Sequence, residues 1–187
     1  MNYLMLVNRD NLLNKTYVPK NLVDCDSKYK QNFVVDIVYQ QFMLMKIEAI
    51  ILGYDIDIMS GYRDYNYQEK LYNKLVNDKG FNYAFRYIAP PGASEHQTGL
   101  AIDLCIYREG KCYIEHEIQN FEEIKWVEKN AHRFGFILRY PFGLEDITGY
   151  NYEPWHFRYV GDMASYLYYN NLTLEEFNRN RDCNKFN

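Results

Sequence analysis

The chain has 187 residues, of which 48% are hydrophobic and 25% charged, a composition that excludes disordered, collagen-like and coiled-coil proteins. It carries 21 Lys and Arg residues and 25 Asp and Glu residues, and the resulting net charge of −4 provides no general attraction for nucleic acid. A chain of this length, without a long linker or an internal repeat, is expected to form a single domain over residues 1–187.

The beginning of the chain predicts neither export nor membrane insertion. Met1–Arg9 lacks the basic and apolar regions of a signal peptide, and every uninterrupted apolar stretch is far shorter than the roughly 20 residues that cross a bilayer. The four cysteines, Cys25, Cys105, Cys112 and Cys183, are scattered and form no Cys-x-x-Cys pair. We therefore expect a cytoplasmic protein with reduced thiols.

Two helices and one strand are predicted in the first half of the chain. Apolar residues recur at three- and four-residue spacing over about Ser27–Leu52, which predicts a long helix that ends at Gly53. Tyr54–Met59 then alternates polar and apolar residues, as a half-buried strand does. Asp64 is a suitable N-cap for a second helix, which Gly80 would end.

A hairpin and a third helix are predicted next. Leu100–Tyr107 has the pattern of a strand, Glu109 and Gly110 form a turn, and a second strand returns from Lys111. Asn120–His132 is expected to be a helix capped by its first residue.

The last part of the chain predicts two more strands and two short helices. The strands are Phe136–Tyr140 and Tyr152–Val160, and a capping box of Thr173 with Glu176 would open the final helix. This order of helices and hairpin-linked strands predicts an α+β fold, with a small, mainly antiparallel sheet flanked by helices.

Two histidines and one aspartate predict a metal site. His96 lies just before a predicted strand, Asp103 lies inside that strand, and His156 lies in a later one. Two imidazoles and one carboxylate are a ligand set of catalytic Zn²⁺, whose fourth position is left for water or substrate. We therefore predict zinc as the cofactor.

Glu153 is the predicted catalytic base. Pro154 separates it from His156 and prevents a regular ladder hydrogen bond, which implies a local irregularity in the strand. Such an irregularity would turn both side chains toward one cavity, where Glu153 would take a proton from a metal-activated water. Arg63, at a strand-to-helix turn, is the predicted cation for the developing oxyanion, and the chemistry is that of amide hydrolysis.

Three other residues with ligand-type side chains are interpreted as structural. His116 lies in an acidic, polar segment, and His132 lies in the last turn of a predicted helix, where the helix dipole favours a positive charge. Cys105 shares a strand face with Asp103, but a buried apolar thiol is the simpler interpretation.

Three motifs follow one another along the chain: Ser60-Gly61-Tyr62-Arg63 with Gln68, then Ser94-x-His96-x-x-Gly99-x-Ala101-x-Asp103, then Glu153-Pro154-Trp155-His156-Phe157-Arg158-Tyr159-Val160-Gly161. Together they resemble the zinc D-alanyl-D-alanine carboxypeptidases of the VanY type. The resemblance extends from Val7 to about Phe177. It is closest to the cytoplasmic branch that combines D,D-dipeptidase and D,D-carboxypeptidase activity in glycopeptide resistance.

The resemblance implies a role for each matching position. It implies three zinc ligands: His96, Asp103 and His156. Glu153 would be the catalytic base and later the proton donor, and Arg63 would stabilise the tetrahedral intermediate. Gln68 and Ser94 would hold Arg63 or the terminal carboxylate of the substrate, and Trp155 would form the wall beside the metal.

The predicted function is that of a zinc metallopeptidase acting on small peptides that end in D-Ala-D-Ala, and on the free dipeptide as well. Substrate preference would be set by loops at 81–92 and 141–150. Three alternatives stay open: an L,D-specific wall endopeptidase or carboxypeptidase with the same metal site, a ferrous oxygenase using two histidines and one carboxylate, and a non-catalytic metal-stabilised module.

Overall fold

The structure, a computed structural model, describes residues 1–183; residues 184–187 of the predicted domain lie outside this range, and the single domain stays a prediction. The helices are α1 (Asp36–Ile51), α2 (Tyr65–Lys79), α3 (Phe81–Tyr87), α4 (Glu122–Asn130), α5 (Glu145–Thr148), α6 (Met163–Tyr169) and α7 (Leu174–Cys183). The strands are β1 (Leu22–Asp24), β2 (Phe33–Val35), β3 (Asp55–Ser60), β4 (Ala101–Arg108), β5 (Lys111–Ile114), β6 (Phe136–Leu138) and β7 (His156–Tyr159).

Five strands form the main sheet, in which every pairing is antiparallel. The order is β3-β4-β7-β6, with β7 pairing with the first part of β4 and β5 pairing with its second part. β1 and β2 form a separate two-stranded antiparallel sheet. The predicted α+β fold, with a small antiparallel sheet flanked by helices, is confirmed.

The two faces of the main sheet differ in character because side chains alternate along each strand. One face packs against the buried stripe of α1, and the shared core contains Val38, Phe42, Met45 and Ala49 of α1 with Ile56, Ile58, Ile102, Leu104 and Phe157 of the strands. Burying each large side chain contributes about 1.5–3 kcal/mol. The opposite face carries the polar residues Asp103, His156 and Arg158, and the site is built there.

Several predicted elements are confirmed close to their bounds. β3 and α2 lie where they were expected, and the Asp64 carboxylate accepts a hydrogen bond from the Tyr67 backbone N–H at 2.6 Å. The β4–β5 turn has positive φ at both Glu109 and Gly110. At the start of α7, Thr173 and the Glu176 carboxylate form the predicted reciprocal capping box.

Other predictions were wrong. The helix predicted from Ser27 begins only at Asp36, because the β-branched residues that precede it form β2 and pair with β1. The predicted loop 81–92 contains α3, and the predicted loop 141–150 contains α5.

The boundaries of two later elements also needed correction. The cap of α4 is Phe121 rather than Asn120, and α4 ends at Asn130, before a separate 3₁₀ turn. The strand expected over Tyr152–Val160 contains only β7, because the residues before it form a turn around Pro154 that the proline ring favours.

Within residues 1–183, no helix combines the length and apolar character that a bilayer-spanning helix needs. Cys25, Cys105 and Cys112 are free thiols, and the side chain of Cys183 lies outside the described part of the chain. Cys105 is buried with its Sγ 3.6 Å from the Asp57 carbonyl oxygen, in agreement with a structural thiol.

Gly135 and Gly53 offer a matched test of packing at helix ends. Both have φ of +82°, but a Cβ at Gly135 would lie 2.5 Å from the Tyr159 ring, whereas one at Gly53 would meet nothing within 4 Å. We expect Gly53→Ala to lower the free energy of unfolding by about 1–2 kcal/mol, from backbone strain alone. Gly135→Ala should lower the free energy of unfolding by about 1–3 kcal/mol more than Gly53→Ala, because the added Cβ clashes with the Tyr159 ring. Urea denaturation measures both, and equal losses would contradict the packing around Tyr159.

Candidate metal centre

The pairing of β4 with β7 brings two of the predicted ligands together. Asp103 lies directly opposite His156 in the register, so their side chains project from the same face of the sheet. His156 Nδ1 is 3.0 Å from Asp103 Oδ1. Both side chains are buried, with 6% and 8% of their surface exposed.

The third predicted ligand reaches the pair from a 3₁₀ turn, Glu95–Thr98, just before β4. Gly99 follows this turn with φ of +68°, a left-handed conformation that glycine adopts without strain and that returns the chain into the sheet. His96 Nε2 consequently lies 3.2 Å from Asp103 Oδ2. The other ring nitrogen, Nδ1, is 2.7 Å from the Gly61 carbonyl oxygen, to which it donates as an N–H.

These three side chains fit a zinc ion. One ligand atom from each of His96, Asp103 and His156 lies within 4.8 Å of the other two, and no other such group of three occurs among the side chains that the structure describes. His96 Nε2 and Asp103 Oδ1 are buried and make no hydrogen bond within the described chain, although each is close to another member of the group. Close approach without hydrogen-bond alignment is expected for atoms that share a cation, and two nitrogens with one oxygen suit Zn²⁺.

Burial and neighbouring charges favour the metal-binding forms of two ligands, His96 and Asp103. Burial, together with the positive charge of Arg63, lowers the pKa of His96 to about 4, so its imidazole is neutral at physiological pH. Burial opposes ionisation of Asp103, but the neighbouring His96 and His156 hold its pKa well below the ordinary value. A neutral imidazole and a carboxylate are the forms that bind metal.

Glu153 faces the same cluster. The His156 backbone N–H donates to the Glu153 carbonyl oxygen at 3.1 Å, which closes a turn across Pro154. The Glu153 carboxylate therefore points the same way as the imidazole, with Oε2 3.6 Å from His156 Nδ1. Burial raises the pKa of Glu153 to about 8. The turn at Pro154 therefore directs the side chains of Glu153 and His156 toward each other, as the irregularity inferred from the sequence predicts.

Arg63 supplies positive charge beside this group. Its Nη2 is 3.7 Å from Asp103 Oδ2, and its backbone N–H donates to the His96 carbonyl oxygen. Its Nε is buried and makes no hydrogen bond to any described residue. Arg63 can therefore donate to an anionic ligand.

A cavity of about 360 Å³ opens over the cluster, and its walls contain the remaining predicted site residues, Gln68, Ser94 and Trp155. Gln68 Nε2 donates to the Ala89 carbonyl oxygen at 2.8 Å, and its Oε1 has no partner among the described residues. Neither Gln68 nor Ser94 hydrogen-bonds Arg63 within residues 1–183, so contact with the substrate is the role that stays predicted for both.

The cavity wall also contains residues that were not predicted. Tyr140 and Tyr150 line it, and the Tyr140 ring centroid is 4.9 Å from that of His156. His116, interpreted as purely structural, lies in the wall with its ring edge-to-face against Trp155 at 4.8 Å. His116 shares this cavity with His96 and His156, an arrangement that no local sequence signal reveals.

His132 is structural, as expected, but the reason differs from the prediction. Its ring stacks on Tyr168 with centroids 4.0 Å apart, away from the cavity. His132 lies in the 3₁₀ turn after α4 rather than in the last turn of that helix, and burial lowers its pKa.

Comparison with known proteins identifies the family. Residues 31–162 match the model of the VanY family of D-alanyl-D-alanine carboxypeptidases, and the chain belongs to this family. It is 39% identical to the putative carboxypeptidase YodJ of Bacillus subtilis (strain 168), over 94% of this chain and 67% of YodJ. It is 34% identical to VanXYC of Enterococcus gallinarum, a bifunctional D-Ala-D-Ala dipeptidase and carboxypeptidase, over 95% of this chain and 94% of that protein.

Solved structures agree with this assignment. The LdcB LD-carboxypeptidase superposes with a TM-score of 0.87 at 38% identity, covering 95% of this chain and 86% of that one. A mutant of the D,D-pentapeptidase VanY from a VanB-type resistance cassette, in complex with Zn(II), superposes with a TM-score of 0.82 at 31% identity. The superposition covers 95% of this chain and 99% of that one. The resemblance inferred from the three motifs is confirmed.

His96 and His116 are two of the three histidines that line the cavity, and they allow a controlled test of the ligand set. We expect the wild type and His116→Ala to bind about one equivalent of zinc. His96→Ala should bind more than about 100-fold more weakly, because even loss of a group that only orients a ligand costs 10–100-fold. Titration against a chromogenic chelator measures these affinities. Equal weakening in both variants would contradict the assignment of His96.

Proposed function

We propose that this protein is a zinc-dependent D,D-carboxypeptidase that removes the C-terminal D-Ala of peptidoglycan peptides ending in D-Ala-D-Ala, and that it also hydrolyses the free dipeptide. The observation that carries this proposal is the buried cluster of His96, Asp103 and His156, faced by Glu153 inside a cavity. Family membership supports it, since relatives and structural neighbours include a bifunctional dipeptidase and carboxypeptidase and a VanY structure with Zn(II).

The metal ligands in this proposal are His96, Asp103 and His156. Zinc held there would supply Lewis-acid activation of a water molecule and of the scissile carbonyl. Glu153 accepts the proton of the attacking water at its carboxylate and returns it to the nitrogen of the departing D-Ala. Burial raises the pKa of Glu153 to about 8, and the positive charge of a bound Zn²⁺ would favour the carboxylate form that accepts this proton.

Arg63 has the charge that the substrate requires. It is the one Lys or Arg in the described lining of the cavity. The substrate carries a C-terminal carboxylate and develops a second negative charge on the attacked carbonyl oxygen. In this proposal Arg63 stabilises the second charge through a charge-assisted hydrogen bond, which is stronger when water is excluded. Gln68 and Ser94, which both line the cavity, orient the terminal residue of the peptide in this proposal.

An L,D-carboxypeptidase is the second candidate, favoured by the similarity to LdcB, whose TM-score is 0.87. The two reactions share the metal chemistry and differ in the configuration of the residue before the scissile bond. Discrimination between them therefore depends on the cavity walls, including Tyr140, Tyr150 and Trp155, rather than on the metal ligands. The absence of nucleic-acid binding and the cytoplasmic location stay predictions.

Three substrates distinguish these candidates: a pentapeptide ending in D-Ala-D-Ala, the free dipeptide, and a tetrapeptide whose terminal D-Ala follows an L-residue. We expect the zinc-loaded protein to release D-Ala from the pentapeptide with a kcat/KM at least about tenfold above that for the tetrapeptide. A tenfold ratio corresponds to a free-energy difference of about 1.4 kcal/mol. The free dipeptide should also be cleaved. D-Ala release is followed by a coupled oxidase assay.

Glu153→Gln is the matched control because it keeps the size of the side chain and removes the base. It should bind zinc like the wild type and lose about 10²–10⁴-fold in kcat, the usual contribution of general acid–base catalysis. Cleavage of the tetrapeptide alone would establish the L,D-activity instead. No release from any of the three substrates, with zinc bound, would contradict the proposed function.

A further inference from the structure

Four charged side chains are buried together behind the candidate metal site. Glu95 Oε1 is 2.8 Å from both Arg139 Nε and Arg158 Nη1. Arg139 also donates through Nη1 and Nη2 to the two carboxylate oxygens of Glu175, at 2.9 and 2.6 Å. The four side chains are between 0% and 6% exposed, and their formal charges cancel. We refer to Glu95, Arg139, Arg158 and Glu175 as the buried quartet.

Stability alone is a poor explanation for the buried quartet. Removing charges from water costs several kcal/mol per ion, and well-packed apolar residues often replace such groups without loss of stability. The buried, ionised carboxylate of Glu95 therefore points to a role other than stability.

One oxygen of Glu95 remains unpaired. Oε2 is buried and makes no hydrogen bond to any residue from 1 to 183, and the same is true of His156 Nε2. These two atoms face each other at 3.9 Å. Each unsatisfied buried polar group costs about 1–3 kcal/mol, so two facing atoms that could satisfy each other indicate an interaction.

The two candidate histidine ligands need opposite tautomers. His96 donates from Nδ1 to the Gly61 carbonyl oxygen and presents Nε2 to Asp103. In His156 the ring nitrogen beside Asp103 is Nδ1, so a zinc ion bound there would take the place of the Nδ1 proton and leave the ring proton on Nε2. Glu95 Oε2 is the acceptor that the structure places beside that nitrogen. A carboxylate in this position fixes the tautomer and orientation of a ligating imidazole.

We propose that Glu95 is a positioning residue of the metal site, which accepts the Nε2–H of His156 and so presents Nδ1 to zinc. This inference rests on the proposed metal site. The two atoms are 3.9 Å apart, so the proposed hydrogen bond requires them to approach by roughly 0.7–1 Å when the metal is bound. Arg139 and Arg158 keep Glu95 ionised for this role, and Glu175 connects the arrangement to α7.

Glu95→Gln and Glu175→Gln form a matched pair. Each removes one negative charge from the buried quartet without changing side-chain size, but only Glu95 faces His156. We expect Glu95→Gln to weaken zinc binding by about 10–100-fold, and Glu175→Gln by less than about threefold. Zinc affinity is measured by chelator competition on protein shown to be folded by circular dichroism. The absorption bands of the Co²⁺-substituted protein should shift only in Glu95→Gln.

Each outcome has a distinct meaning. Equal zinc affinity of the wild type and Glu95→Gln would overturn the inference and leave the proposed function intact. Equal weakening in both variants would overturn it as well, because a purely structural quartet predicts that result. A wild type that binds no zinc would overturn the metal site itself. If Glu95→Gln does not fold, Glu95→Asp replaces it, since it keeps the charge but withdraws the oxygen from His156, and the same weakening is expected.

Discussion

The antiparallel register of β4 and β7 is the constraint on which the site depends. It sets Asp103 directly opposite His156, on the face of the sheet that does not pack against α1. A slip of either strand by one residue would turn the ligand on that strand into the apolar core and bring Ile102 or Phe157 to the polar face. The apolar residues on either side of Asp103 and His156 therefore hold the ligands in place, although they take no part in the chemistry.

The burial of charged side chains also links the fold to the function. The ligands, Glu153 and the buried quartet lie where water is scarce, and each charge there needs a compensating partner. Asp103 is compensated by two imidazoles and Arg63, and Glu95 by two arginines. Glu153 has only the more distant His156 imidazole, with Nδ1 3.6 Å from Oε2, and burial outweighs this contact and raises its pKa. The same dry environment therefore gives neighbouring carboxylates different proton affinities, as an acid–base mechanism requires.

The local elements were the most predictable part of this protein. β3, α2 and the capping box of α7 follow from periodicity and capping residues, which act within a few positions along the chain. β1 and β2 are only three residues long each and are defined by pairing with each other, so the apolar spacing that continues into α1 concealed them. α3 directly follows the glycine that ends α2, where a loop was the natural expectation.

The candidate ligands could be inferred from chemistry and motif, but their surroundings could not. Glu95 is adjacent to His96 in the sequence, yet its partners Arg139, Arg158 and Glu175 are distant along the chain and meet only in the folded protein. The available signal was a single arginine within each of two otherwise apolar or aromatic segments, since a buried arginine requires a buried acid. That signal predicts that a partner exists and does not identify it.

Zinc K-edge X-ray absorption of the zinc-loaded protein tests the central claim most directly, because it reports the atoms bound to the ion. The account predicts two imidazole nitrogens at about 2.0–2.1 Å, oxygen ligands at about 2.0–2.2 Å and no sulfur. A sulfur at about 2.3 Å, or a first shell with fewer than two imidazoles, would contradict the assignment of His96, Asp103 and His156 as the ligands.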